Sequence, residues 1–304
     1  METAGQRQDW TSVTGREWRA RRGSARRLRE APDPADSERR FDGKLAASAG
    51  HGVAAPPNAF EILRGSGVST PFLAPLGIDD DGRAIWVDLH HPASGHVLIE
   101  GGSPTARGEI LRALAIGLAM TTRPALLQVT AIDATGRDLT VLETLPHAVT
   151  ETAGDARSAQ INLLWLEAEL LARVSEGRRW PDMLLVVDDL MSLAGPESGR
   201  GRAALMRILR SGGAWGMHVL GAAPSRMAGL RAAGWSGPEV ARLVACDHHG
   251  WFEYRCGGRS TRLAGVSLAA VDLDGVARGR RPAASALGRF PPVRPAPAGW
   301  RPNA

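Results

Sequence analysis

The sequence predicts an α/β protein whose sheet is mostly parallel and is covered by helices on both faces. Short apolar runs alternate along the chain with segments of helical periodicity, and one such run leads through a glycine loop into a helix at residues 96–118. A second apolar run, residues 183–187, ends directly in two aspartates. Because parallel strands are joined by crossover helices that lie on the sheet, this alternation indicates the α/β class. A chain of 304 residues with 43% hydrophobic content is long enough to bury a sizeable core.

The individual elements follow from periodicity and turn residues. Residues 58–66 indicate a helical turn, and residues 74–90 read as two strands around an Asp-Asp-Asp-Gly turn, which makes an N-terminal β-hairpin. The remaining predicted elements are a strand at 96–99, a helix that contains Ile110, Leu111, Leu114 and Leu118, a strand at 126–132, a helix at 156–174, a strand at 183–187, a helix around 203–209, a strand at 218–222 and an edge hairpin near 251–254 and 261–266.

Composition divides the chain into an ordered domain, residues 58–277, between a disordered basic arm, residues 1–57, and a disordered tail rich in arginine and proline, residues 278–304. The arginine-rich run 16–30 reads either as a short basic helix or as a solvated tail. Residues 1–55 carry 11 basic and 8 acidic side chains and residues 278–304 carry 6 and none, which leaves 20 basic and 24 acidic side chains in between. We therefore expect any nonspecific attraction for DNA phosphates to come from the ends or from a local patch.

Two negative expectations concern membranes and metals. No apolar run approaches the roughly 20 residues that span a bilayer, and no signal peptide is recognisable, so the sequence predicts a cytoplasmic protein without membrane contact. Cys246 and Cys256 flank His248 and His249, but this spacing fits no common zinc motif. It favours two half-buried thiols on a hairpin over a metal site.

The loop after residues 96–99 has the layout of a phosphate-binding loop with altered chemistry. On the template G-x-x-x-x-G-K-[ST], Gly101 keeps the first position, whereas Ala106, Arg107 and Gly108 replace the second glycine, the lysine and the hydroxyl residue. Arginine keeps the charge but is bulkier than lysine, and glycine cannot help to hold Mg²⁺. The alternative is a βα turn without ligand, capped by Ser103. The candidate nucleotide-binding residues are Gly101, Gly102, Ser103, Thr105, Ala106, Arg107 and Gly108.

Asp188 and Asp189 are the candidate catalytic residues, because P-loop ATPases place carboxylates at the end of a buried strand to hold the magnesium water and to polarise the attacking water. The alternative for this pair is a helix N-cap that follows a strand. With a phosphate loop at the same sheet edge, residues 183–187 are expected to form a central strand next to residues 96–99. Asp188 is then expected within reach of the loop 101–108.

The order of these segments resembles the motor domain of the FtsK/SpoIIIE family of DNA translocases, a RecA-like subgroup of P-loop NTPases. The resemblance extends from about Leu76 to Leu273 and implies a RecA-like fold, ATP and Mg²⁺ as cofactors, double-stranded DNA as partner, and a homo- or hetero-oligomer such as a hexameric ring. It is carried by the hairpin 76–89, by 96–101 at the Walker A position, by Ile132-Asp133, by Leu145-Pro-His147, by Val187-Asp188-Asp189 at the Walker B position, and by 216–225.

The departures from the family pattern concern the nucleotide site. Arg107 and Gly108 replace lysine and serine or threonine, Asp189 replaces glutamate, and Ala223 takes the place of a glutamine that would sense the γ-phosphate. The resemblance therefore implies a DNA-associated protein of this family with weak or no ATP hydrolysis. A noncatalytic scaffold that binds a protein partner, as degenerate motor domains of type VII secretion ATPases do, is the alternative. A small-molecule enzyme is disfavoured, because the chain has no evident His, Cys or Ser constellation.

Overall fold

The computed structural model describes residues 56–134, 136, 139–194, 199–224, 240–246, 250–268 and 275. All of them belong to one compact unit, Glu38–Ala304. The predictions for the basic arm up to residue 55 and for the tail 278–304 lie outside the described residues, as does His248-His249.

The helices and strands follow the predicted order closely. In chain order they are α1 (Ala59–Ser66), β1 (Leu73–Asp79), β2 (Ala84–Asp88), β3 (His96–Glu100), α2 (Pro104–Thr121), β4 (Leu127–Ile132), α3 (Ala156–Glu176), β5 (Asp182–Val187), α4 (Gly199–Ser211), β6 (Met217–Ala223), β7 (Val240–Ala245), β8 (Trp251–Cys256) and β9 (Arg259–Gly265). Short 3₁₀ helices lie at Leu139–Thr144, Ser192–Ala194 and Gly212–Trp215.

Local sequence signals set the helix ends. Asn58 Oδ1 accepts a hydrogen bond from Phe60 N at 2.8 Å and begins α1. Asp155 begins α3 with a reciprocal cap, in which its side chain accepts from Ser158 N while Ser158 Oγ accepts from Asp155 N. These caps satisfy amide groups that the first turn of a helix leaves without a partner in the helix. Gly177 ends α3 in a left-handed conformation that glycine adopts without strain.

The described strands form one sheet with the order β2-β1-β9-β8-β7-β3-β6-β5-β4. The five strands from β7 to β4 in this order run parallel to one another, which confirms the prediction of parallel strands for the inner part of the sheet. The strands from β2 to β8 extend it in antiparallel fashion. The N-terminal hairpin β1–β2 is confirmed and lies at the outer edge.

Two sequence expectations about the sheet are wrong. The hairpin β8–β9 is not at an edge, because β9 pairs with β1 and β8 pairs with β7. The strands β3 and β5 are not neighbours, because β6 pairs with both and lies between them. Pairing partners that are far apart in sequence depend on packing and are not encoded in the local pattern of either strand.

Helices cover both faces of the parallel part. Along β5, Leu184 and Val186 pack into one apolar cluster, whereas Met183, Leu185 and Val187 pack into another. The first cluster contains the buried side of α2, and the second contains the buried sides of α3 and α4. Both faces of the sheet are therefore buried, as expected for parallel strands with crossover helices. Within the described residues, no helix combines the length and apolarity needed to cross a membrane.

Candidate nucleotide site

The loop between β3 and α2 closes against the neighbouring strand β6. Gly101 and Gly102 have φ values of +77° and +67°, which glycine adopts at little cost. Gly101 N donates to Ala223 O at 3.1 Å, so that the start of the loop is bonded to the end of β6. Ala223, the residue in place of the family's glutamine, is fully buried and contributes a carbonyl group here.

The first turn of α2 is capped as the alternative interpretation of this loop predicted. Ser103 Oγ accepts from Ala106 N at 3.1 Å, and Ser103 O accepts from Arg107 N at 3.1 Å. Pro104 occupies the first helical position, where it removes one amide from the turn. Thr105 is exposed on this turn. One amide that a phosphate would need is therefore already bonded to the serine, and another is absent.

Arg107 turns back onto the loop. Its Nη1 donates to Gly102 O at 2.8 Å and to Gly101 O at 3.2 Å, and the residue is 7% exposed. A guanidinium has only donor groups, and these two carbonyls take up part of its fork. The positive charge at the lysine position therefore stabilises the loop from within.

Gly108 is buried, yet a Cβ atom placed on it would have no neighbouring heavy atom within 4 Å. The space for a hydroxyl side chain is therefore present although the hydroxyl itself is missing. Without this oxygen, the loop lacks the ligand with which P-loop proteins hold Mg²⁺.

The two aspartates after β5 have different partners. Asp188 Oδ1 accepts from Ala134 N at 3.0 Å and so joins the ends of β4 and β5. Asp189 Oδ1 accepts from Met191 N at 2.8 Å, and its carbonyl accepts from Ser192 N at 3.2 Å. Asp189 thus caps the 3₁₀ turn Ser192–Ala194, which is close to the N-cap alternative. Both residues follow the carboxyl end of a strand parallel to β3, but β6 separates the two strands, a spacing of about 10 Å.

An ion pair directly before the loop was missed by the sequence interpretation. Glu100, the last residue of β3, is 3% exposed and bonds to Arg242 of β7. Its negative charge, which would repel a phosphate, is balanced in this way. The strand β7 was not predicted, although Ala241 and Leu243 are buried on alternate positions around Arg242 and so carry the period-two signal of a strand.

The cysteines do not form a pair that could hold a metal. Cys246 is exposed beyond the end of β7, and Cys256 is the last residue of β8. Cys246 N bonds to Trp251 O at the start of β8, so the two thiols lie at opposite ends of that strand, about 17 Å apart. Burial raises the pKa of the Cys256 thiol, which makes it less reactive than an ordinary thiol.

Together these residues lack part of the set with which P-loop proteins hold Mg²⁺ and ATP. The cation is turned inward, the hydroxyl ligand is missing, and one oxygen of each aspartate is bonded to the backbone. The arrangement can hold the loop, the strand ends and the capped helix in register. It does not present the set of groups that phosphoryl transfer requires.

Comparison with known proteins gives a consistent result. Residues 68–176 match the sequence model of the FtsK/SpoIIIE family. The chain is 24% identical over 184 residues to DNA translocase SftA of Bacillus subtilis (strain 168), a match that covers 53% of this chain and 19% of SftA.

Solved structures share the fold at low identity. EssC (ATPases 2 and 3) of Geobacillus thermodenitrificans has a TM-score of 0.60 at 15% identity and covers 74% of this chain and 50% of its own. The pCW3 conjugation coupling protein TcpA with ATPγS has a TM-score of 0.57 at 14% identity and covers 74% of each chain. Thermomonospora curvata EccC (ATPases 2 and 3) in complex with a signal sequence peptide has a TM-score of 0.54 at 16% identity and covers 66% of this chain and 41% of its own. The architecture is thus that of RecA-like P-loop ATPases.

Proposed function

From the FtsK/SpoIIIE-family domain that this chain carries, we propose that the protein is a DNA-associated member of that family whose nucleotide site hydrolyses ATP weakly or not at all. The chain spans about a fifth of the length of SftA, so only the domain, and not the whole translocase, is the basis of the proposal.

The observation that supports the proposal is the position of Arg107. A lysine at this position of a P-loop reaches the phosphates, whereas the Arg107 guanidinium bonds to Gly101 O and Gly102 O of its own loop. To meet a phosphate with Nη1 it would have to give up both bonds. Gly108 adds no hydroxyl, so the metal that neutralises the transferred phosphoryl group is not held there.

The test compares nucleotide binding and turnover in three proteins. We expect the unmodified protein with Mg²⁺ and ATP to show neither an appreciable rise in melting temperature nor steady-state hydrolysis, because a ligand stabilises a protein only by binding its folded state. Arg107→Lys combined with Gly108→Ser should recover measurable binding, since position 108 has room for the serine. Gly108→Ser alone is the matched control and should recover less.

The contrary result is also specific. Steady-state hydrolysis by the unmodified protein that Asp188→Asn abolishes would show a working site and refute the proposal. Asp189→Asn is compared with Asp188→Asn in the same assay, because the Asp189 carboxylate already accepts a hydrogen bond from Met191 N within its own turn.

We further propose that DNA binding resides in the arginine-rich ends. The segments 16–29 and 278–294 are strongly basic, whereas the 20 basic and 24 acidic side chains between residues 55 and 278 give that part a net negative charge. Binding to duplex DNA should then be modest, insensitive to sequence and steeply weakened by salt. Replacing the arginines of both segments by alanine in the full chain should remove most of it.

A matched control keeps the number of charges removed similar but takes them from the folded domain. The exposed arginines in the described part of the domain are Arg64, Arg123, Arg157, Arg200, Arg202, Arg207, Arg210, Arg255, Arg259 and Arg262. If their replacement by alanine weakens DNA binding as much as the changes at the ends, the contacts come from the domain and the proposed role of the ends fails.

The second candidate function is a noncatalytic scaffold that forms a homo- or hetero-oligomer. It is favoured by the same residues, because Arg107 and Gly108 replace the lysine and the hydroxyl residue of the family pattern while both faces of the parallel strands stay buried. A protein that binds no duplex DNA at low salt, yet forms a stable complex with an intact family ATPase in size-exclusion chromatography, would favour the scaffold over the DNA-associated protein.

A further inference from the structure

A cluster of two histidines and an aspartate lies at the sheet edge opposite the candidate nucleotide site. Asp182 is the first residue of β5, His218 is the second residue of β6, and His90 follows β2. His90 Nε2 is 2.6 Å and His218 Nε2 is 3.1 Å from Asp182 Oδ2. The three ligand atoms lie within 4.8 Å of one another. The loop at Gly101 leaves the carboxyl end of β3, whereas Asp182 and His218 lie at the amino-terminal ends of β5 and β6, so the cluster forms a separate site.

The hydrogen bonds of His218 require a cation at its second nitrogen. Its Nδ1 is 2.8 Å from Gly95 O, and since a carbonyl group only accepts, Nδ1 must donate. A neutral ring then directs the lone pair of Nε2 at Asp182 Oδ2, which is also an acceptor. Two lone pairs cannot face each other at this distance without a positive centre between them. That centre is either a proton between the two atoms or a metal ion.

The Asp182 carboxylate is suited to a cation. The residue is buried, and its Oδ1 has no hydrogen-bond partner among the described residues. A buried carboxylate is costly unless hydrogen-bond donors or a positive charge compensate it.

Several features distinguish a metal site from a simple ion pair. A histidine ligand commonly donates its other ring nitrogen to a backbone carbonyl, as His218 does to Gly95 O. Two ligand atoms on a tetrahedral zinc ion are about 3.3 Å apart, which the 3.1 Å between His218 and Asp182 nearly matches. His90 would have to move away from Asp182 by roughly 0.7 Å on the same geometry. Its side chain is 30% exposed and gives an entry path.

The surroundings hold the cluster in place. Arg173 donates to Pro181 O at 2.6 Å and to Trp215 O at 2.9 Å, which anchors the residues that precede Asp182 and His218. The ring of Phe72 stacks on His90 with centroids 4.0 Å apart. His96 is excluded as a ligand through Nδ1, because that atom accepts from Val219 N.

We propose that His90, Asp182 and His218 bind one divalent ion of the zinc class, with a water molecule at a fourth position on the exposed side of His90. Two imidazole nitrogens and one carboxylate oxygen are borderline ligands that suit Zn²⁺, Co²⁺ and Ni²⁺ better than Mg²⁺. The inference is independent of the proposed nucleotide chemistry, because the two sites lie at opposite edges of the sheet.

The experiment uses the full chain, free of any affinity tag, after removal of metals with a chelator. The protein is equilibrated with Zn²⁺ or Co²⁺ and dialysed, and bound metal is measured by atomic emission and, for Co²⁺, by its visible spectrum. We expect one equivalent bound with a four-coordinate cobalt spectrum. His90→Gln should weaken binding at least about tenfold, the lower end of what even supporting residues contribute. Asp182→Asn should weaken it further.

His91→Gln is the matched control, because His91 is the adjacent histidine and is not part of the cluster. It should bind metal as the unmodified protein does. If the unmodified protein folds but takes up no metal, the cation at His218 is a proton and the proposal is overturned. Metal that persists unchanged in His90→Gln also overturns it, and this variant decides the matter even if Asp182→Asn fails to fold.

Discussion

Replacement of the buried Arg173 should cost far more stability than replacement of the exposed Arg178, although both bond to the same carboxylate oxygen of Glu169. The Arg173 side chain is 0% exposed, whereas that of Arg178 is 37% exposed. Arg173 donates to Glu169 at 2.8 Å and also, at 2.6–2.9 Å, to three backbone carbonyls, those of Arg179, Pro181 and Trp215; Gly216 O lies farther away, at 3.5 Å. Burial lowers the pKa of Arg173, whereas the hydrogen bond and the negative charge of Glu169 oppose this shift and favour the charged guanidinium.

The magnitude follows from the groups that lose a donor. Arg173→Met keeps most of the apolar stem of the side chain and leaves three part-buried carbonyls and one part-buried carboxylate without their donor. Each costs on the order of 1 kcal/mol, so that the free energy of unfolding should fall by about 4 kcal/mol. This agrees with the roughly 3–5 kcal/mol lost when one partner of a buried ion pair is removed. Arg178→Met should cost less than about 1 kcal/mol, because exposed pairs are screened by water.

The assay is urea unfolding followed by far-ultraviolet circular dichroism, with the free energy extrapolated to water and the slope compared between variants. An unchanged slope shows that the variants unfold from the same native state. If the free energies of unfolding of Arg173→Met and Arg178→Met differ by less than about 1 kcal/mol, the buried hydrogen bonds of Arg173 contribute no more stability than the exposed ion pair of Arg178, and the reasoning is wrong.

Three further predictions concern packing, capping and pH. Gly221→Ala would place a Cβ atom 2.6 Å from Leu190 Cδ1 and should destabilise the protein by about 1–3 kcal/mol. In contrast, the Cβ atom of Gly108→Ala meets no atom within 4 Å, and this variant should stabilise α2 by up to about 1 kcal/mol in thermal unfolding. Ser103→Ala removes the cap of α2 and should cost about 1 kcal/mol, most of which Ser103→Asn should retain; equal melting temperatures for all three proteins would contradict this. Burial and then the charge of His218 lower the pKa of His96 to about 3. Below about pH 6.5 the unfolded chain therefore binds a proton at His96 that the native state does not bind. Stability on the order of 5 kcal/mol, which is present above that pH, is lost as the pH falls towards 3. His96→Gln should flatten this dependence in denaturant titrations at a series of pH values, and an unchanged slope would count against it.

Local sequence patterns determined the elements and the replacements in the candidate nucleotide site. Apolar periodicity located most strands and helices, and Ser103 with Pro104 marked the start of α2, because capping depends on neighbours along the chain. The replacements at Arg107 and Gly108 were visible without a structure, since they change which atoms are available. The strand β7 was overlooked because it is only six residues long and has an arginine in the middle.

Only the tertiary structure decided what these residues contact. The sequence could not show that Arg107 bonds to its own loop, that β6 lies between β3 and β5, or that β8–β9 is an interior hairpin. Each of these depends on groups brought together by packing rather than by sequence spacing. The cluster of His90, Asp182 and His218 is the clearest case, because 92 residues separate His90 from Asp182 along the chain. Folding closes that separation to 2.6 Å, because it brings the connection between β2 and β3, which holds His90, to the start of β5.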